Sequence, residues 1–109
     1  MKDNMMYQIS VRVQLSDDSF MSDIEYNDNP YKCILEILQD VQLFFSGFTN
    51  YFYPDKDKEI DVSTHADIKL EITLPDKRII ALIEKNTAYI ALLRIITRAY
   101  QCLIDNDLE

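Results

Sequence analysis

Four stretches of this chain alternate apolar and polar residues with a period of two or run apolar without a break. Each pair of stretches leads into a segment of helical period, and that order constrains the fold more than any single residue. Tyr7, Ile9, Val11, Val13 and Leu15 alternate with Gln8, Ser10, Arg12 and Gln14, as in a half-buried strand. Ser16, Asp17, Asp18 and Ser19 supply turn chemistry, because their short polar side chains bond nearby backbone. A second alternation follows, with Phe20, Ile24 and Tyr26 on one side and Asp23 and Glu25 on the other. Asn29 is suited to an N-cap and Pro30 to the first helical position, where its missing N–H is not needed. Ile34, Ile37, Leu38, Val41, Phe44, Phe45 and Phe48 then recur at helical spacing. Gly47, the only glycine, is expected at the C-terminal cap.

The second half repeats the plan. Ile68, Leu70, Ile72 and Leu74 alternate with Lys69, Glu71 and Thr73, and Pro75, Asp76 and Lys77 make the turn. Ile79 to Ile83 is an unbroken apolar strand, and Asn86 or Thr87 caps a helix running to about Ile104. Sliding the sequence by 59 positions pairs Leu15 with Leu74, Asp17 with Asp76, Glu25 with Glu84 and Asn27 with Asn86. A slide of 58 pairs the helices, Tyr31 with Tyr89 and Ile37 with Ile95. Two amphipathic hairpin–helix units match in hydrophobic pattern by construction, but the polar matches are not forced by it.

At 109 residues the chain has the size of one domain. The expected fold is α+β, a two-layer β-β-α-β-β-α with a four-stranded antiparallel sheet, both helices on one face, and an internal pseudo-repeat. The hairpin–helix units span about residues 6–48 and 66–105. Residues 49–65 form the crossover, where Ile60 and Val62 add a short edge strand.

The formal charge of −8 argues against nucleic acid or an anionic membrane as a direct partner. The opening Met1, Lys2, Asp3 and Asn4 lack a secretory core, and no apolar run approaches the roughly 18 residues of a membrane span. A cytoplasmic protein is expected. Cys33 and Cys102 fall on expected helices and read as free, small hydrophobes. The bias toward Phe, Tyr, Met, Ile, Asn and Lys over Gly, Ala, Arg and Pro suits AT-rich codons, as in an AT-rich bacterium, plasmid or phage.

Chemistry-bearing patterns are sparse. His65 lies in Ser63, Thr64, His65, Ala66, Asp67, but sequence adjacency does not bring a nucleophile to its base, and an exposed histidine before a strand is the expectation. One histidine and two separated cysteines are too few ligands for a structural zinc. Asp55, Asp57, Glu59 and Asp61 open like a calcium loop, yet the sixth position is Ile60 and the twelfth Ala66. One glycine makes no phosphate loop. Arg94 and Arg98, a turn apart on the second helix, read as a solvated stripe. No catalytic residue, cofactor or metal is expected, and the chain is read as not an enzyme.

Three features point to macromolecular contact instead. Residues 15–40 hold seven acids against Lys32 alone. Asp17, Asp18, Asp23, Glu25, Asp28, Glu36 and Asp40 are therefore candidates for binding a basic partner, with the last five read as outward-facing. Tyr51, Phe52 and Tyr53 are candidate aromatic anchors. The second helix is apolar around most of its circumference, and with its preceding strand it offers Ile90, Ile95, Ile79 and Ile83 as a dimer surface. The leading expectation is an intracellular inhibitor or immunity-type protein that blocks a basic surface of a nucleic-acid-handling protein or toxin. The alternative is a homodimeric structural or chaperone-like module.

Overall fold

The computed structural model describes residues 6–46, 60 and 63–106. Within them the order is β1 (Tyr7–Leu15), β2 (Phe20–Asn27), α1 (Pro30–Phe45), β3 (His65–Thr73), β4 (Ile79–Thr87) and α2 (Ala88–Asp105). The strands form one antiparallel sheet in the order β2-β1-β3-β4. Helix α1 packs on β1 and β2, α2 packs on β3 and β4, and the helices touch each other. The expected two-layer α+β architecture is the one observed.

The core lies between the layers. Ile9, Val11, Val13 and Leu15 from β1 and Ala66, Ile68, Leu70 and Ile72 from β3 meet Ile34, Ile37, Val41, Phe44 and Phe45 from α1 and Ala91, Ile95, Ala99 and Leu103 from α2. Both helices bury one stripe, as their periodicity requires. Antiparallel helices close the layer at each end through aromatic pairs. Tyr31 stacks on Tyr100 with centroids 5.7 Å apart, and Tyr89 meets Phe45 edge-on at 5.4 Å.

Asn29 caps α1 as expected, its side chain accepting from the backbone N–H groups of Tyr31 and Lys32, with Pro30 in the first turn. Thr87 occupies the same place before α2 but makes no side-chain cap bond. The C-cap of α1 is Ser46. Gly47, Phe48 and Val62 lie outside the described residues. Ile60 is buried and donates its N–H to the Phe45 carbonyl at 2.9 Å, without belonging to a strand.

The 59-residue correspondence extends to the turns. Leu15 N–H donates to Ser19 O and Leu74 N–H to Arg78 O, both at 2.9 Å. Asp17 accepts from the Ser19 N–H as Asp76 accepts from the Arg78 N–H. Asp18 and Lys77 both sit at positive φ, 73° and 78°, the left-handed residue that closes a three-residue hairpin loop. Val11 pairs with Leu70 across the centre of the sheet, and these positions are 59 apart. A pseudo-dyad normal to the sheet therefore passes through that pair and relates β1 to β3, β2 to β4 and α1 to α2.

One expectation fails on β2. Its register places Met21, Asp23 and Glu25 beside Val13, Val11 and Ile9, whose side chains face the helices. Asp23 and Glu25 thus turn inward and are half-buried, whereas Phe20, Ile24 and Tyr26 are exposed on the opposite face. Alternation defines two faces but not which one is covered. The three-residue turn sets the register, and with it the facing.

Candidate functional site

The inward turn of β2 brings its carboxylates against α1. Helix periodicity puts Glu36 and Asp40 one turn apart on the flank of α1 beside β2. One carboxylate oxygen each from Asp23, Glu25 and Asp40 lies within 4.8 Å of the other two, all three residues being half-buried. Asp23 Oδ1 accepts from the Ile24 N–H at 2.9 Å. Asp23 Oδ2 is closed off from solvent and receives no hydrogen bond.

Like charges this close disfavour full ionisation. Burial pushes the Asp40 carboxyl up to about 7, helped by a hydrogen bond to Asp23 and by the charges of Asp23, Glu25 and Glu36. Glu25 is raised by burial and by Asp23 and Glu36. A proton on Asp40 supplies Asp23 with the donor it otherwise lacks. Beneath them the Cys33 thiol donates to the Glu25 carbonyl at 3.2 Å, and burial pushes that thiol up to about 11. Both cysteines are free.

The pseudo-dyad supplies a reference for this cleft. Glu25 corresponds to Glu84 at an offset of 59, and Asp40 corresponds to Arg98 at the helix offset of 58. In the second unit those residues form an ion pair, Arg98 Nη1 to Glu84 Oε2 at 2.7 Å, and the same nitrogen donates to the Ile83 carbonyl at 2.8 Å. The Glu84 side chain is only 15% exposed. The first unit keeps the strand carboxylate and replaces the guanidinium with a third acid. Its cleft is the half of an ion pair whose cation the chain does not provide among the described residues. Three oxygens could also ligate a hard cation such as Ca²⁺, which would need further oxygens to complete its usual shell.

The remaining candidates are dispersed. Asp17 and Asp18 lie in the β1–β2 turn and Asp28 before α1, apart from the cleft. Tyr51, Phe52 and Tyr53, like Asp55, Asp57, Glu59 and Asp61, lie outside the described residues. His65 opens β3 exposed, with its backbone bonded to Ser16. Arg94 is exposed, and Arg98, read as part of a solvated stripe, is engaged with Glu84.

The dimer candidates divide. Ile79, Ile83 and Ile90 are exposed, but Ile95 is 1% exposed and belongs to the core, because it lies on the α2 stripe that faces the sheet. Sequence reasoning missed the Glu84–Arg98 pair. The signal was present, since the offsets that align Glu25 with Glu84 also align Asp40 with Arg98. None of the described helices is long and apolar enough to cross a membrane.

No family model matches this chain, and no curated protein or solved structure was found to match it either.

Proposed function

We propose that this protein is a non-enzymatic interaction module that receives a cationic side chain of a basic protein partner in the cleft between β2 and α1. The observation that carries the reading is the contrast between equivalent positions. Glu84 has Arg98, whereas Glu25 faces Asp40 and Asp23, whose buried oxygen finds no donor other than a proton on Asp40. A guanidinium entering the cleft would meet several carboxylate oxygens, satisfy Asp23 Oδ2 and release the proton held by Asp40. Asp17, Asp18 and Asp28 would add long-range steering rather than contact. A module of this kind, seated on the basic groove of a nucleic-acid-handling protein or toxin, would act as its inhibitor.

An arginine-rich peptide serves as the probe, titrated into the protein and followed by amide chemical shifts at low and high salt. The expected result is saturable binding with shifts centred on residues 23, 25, 36 and 40, weakened by salt and lost in Asp23→Asn/Glu25→Gln. Shifts spread evenly over all the acids, or centred on the β1–β2 turn, would overturn the assignment. Titration at pH 6 and pH 8 adds a second readout, since the cation must displace the Asp40 proton and so binds more weakly at the lower pH.

A further inference from the structure

The sheet face opposite the helices carries no covering element among the described residues, and its composition is unusual at both margins. Phe20, Ile24 and Tyr26 on β2 are 48%, 44% and 55% exposed, and Ile79 and Ile83 on β4 are 62% and 52% exposed. Strand β2 spends its apolar residues on this face while turning Asp23 and Glu25 inward. That inversion conflicts with burial in an isolated monomer, and such local conflicts mark surfaces kept for another purpose. Between the margins, the central strands present Ser10 and Arg12 on β1 and Asp67, Lys69 and Glu71 on β3, the last two paired at 3.4 Å within the chain and able to pair again across an interface.

We propose that this face is a homodimer interface, with two copies stacked sheet on sheet about a two-fold axis that lies between the sheets. The axis runs perpendicular to the strands and passes over the Val11–Leu70 pair. The register and charge select this arrangement. Rotation about it sets each strand over its own copy with direction reversed. Lys69 of one copy then lies over Glu71 of the other, twice, and Arg12 lies over Ser10 within reach of the same Glu71. Phe20 falls over Tyr26 and Ile24 over Ser22 along the β2 margin, and Ile83 falls over Ala81 along the β4 margin, where Ile79 meets the aliphatic stem of Lys85. The alternative two-fold axis, parallel to the strands, sets β1 over β3. It opposes Arg12 to Lys69 in both halves of the interface, which charge repulsion disfavours.

The face is also large enough. Four strands spaced by about 4.8 Å and eight or nine residues long at about 3.3 Å per residue give a flat footprint of roughly 550 Å². Side-chain relief raises the accessible area toward the roughly 800 Å² per partner of a standard interface. Aligned sheet stacking of this kind is an established packing mode.

Sedimentation across a concentration series tests the proposal. The wild-type protein should show a reversible monomer–dimer equilibrium. Lys69→Glu and Glu71→Lys, both at surface positions, should each raise the dissociation constant about tenfold or more, because each opposes like charges twice across the axis. Mixing the two variants should restore association as a heterodimer, since opposite charges then meet at both contacts. Ile24→Lys should also weaken the dimer, and mixing should not rescue it. A wild-type monomer at every concentration overturns the proposal. So does a dimer that these variants leave intact but Leu93→Glu on the helix layer dissociates. Failure of the mixed variants to reassociate, when each alone is weakened, overturns the two-fold register.

Discussion

The two hairpin–helix units share a backbone plan but use it differently where strand meets helix flank. In the second unit a half-buried glutamate is neutralised by Arg98, which also covers the Ile83 carbonyl on an edge strand and so blunts that edge. In the first unit the matching glutamate faces two aspartates, one of them held protonated to about pH 7. One solution serves stability and the other leaves an electrostatic deficit. The shared turn, register and helix packing confine the difference to a few side chains: Asp40 stands where the second unit has Arg98, Asp23 where it has Leu82, and Glu36 where it has Arg94.

The largest test asks whether the halves are separate at all. Val11 and Leu70 sit on the pseudo-dyad and are both buried. Leu70→Ala should lower unfolding free energy by about 3 kcal/mol as one cooperative transition, monitored by denaturant and far-UV circular dichroism. Two separate transitions would mean that each unit carries its own core.

Arg98→Glu sets an acid against Glu84, as Asp40 stands against Glu25, and should cost about 2 kcal/mol, read as a lower urea midpoint, because Glu84 loses its partner in a half-buried place. The reverse exchange, Asp40→Arg, should raise the melting temperature and place a guanidinium against Glu25, visible in a crystal structure.

A third test uses pH. Asp40 holds its proton more tightly folded, at about 7, than its ordinary value of 3.8. Its contribution to stability is therefore complete below about pH 4, declines as pH rises and is gone above about pH 7. Glu25, shifted in the same direction, adds to the decline. Asp40→Asn should flatten the profile and exceed wild type at pH 8 by about 1–2 kcal/mol, a range reduced for solvent reaching half-buried groups. An unchanged pH profile would show that the cleft carboxyls are independently solvated.

The smallest contrast is at the caps. Asn29→Ala should cost about 1 kcal/mol and Thr87→Ala under about 0.5 kcal/mol, since only Asn29 bonds the helix N-terminus. Equal losses would show that the caps are equivalent in solution.

Most of the architecture was legible from the sequence because periodicity is a local property. The β1 alternation, the turn residues, the Asn29–Pro30 start and the α1 stripe each follow from a few neighbours in sequence. The facing of β2 was not legible. Phe20, Ile24 and Tyr26 against Asp23 and Glu25 reads most simply as apolar side inward, and only the register set by the Asp18 turn reverses it. Ile95 was misassigned for a related reason, since an all-round apolar helix does not announce which stripe meets the sheet. The acids of the first unit were legible as a set. Their convergence was not, because it depends on how α1 lies across β2.

The β1–β3 pairing has a kinetic consequence. Every other strand pairing joins neighbours across a short turn, whereas this one joins residues 51 to 65 positions apart, from Leu15–Ala66 to Gln8–Thr73. Hairpins form in microseconds, but closing a long loop must be completed before its contacts repay the lost chain entropy. The topology therefore predicts that assembly of the central pair is the slow step. Until it forms, β1 and β3 each expose an open edge beside an unfinished core, and it is during this interval, rather than in the native state, that the chain is most vulnerable to aggregation.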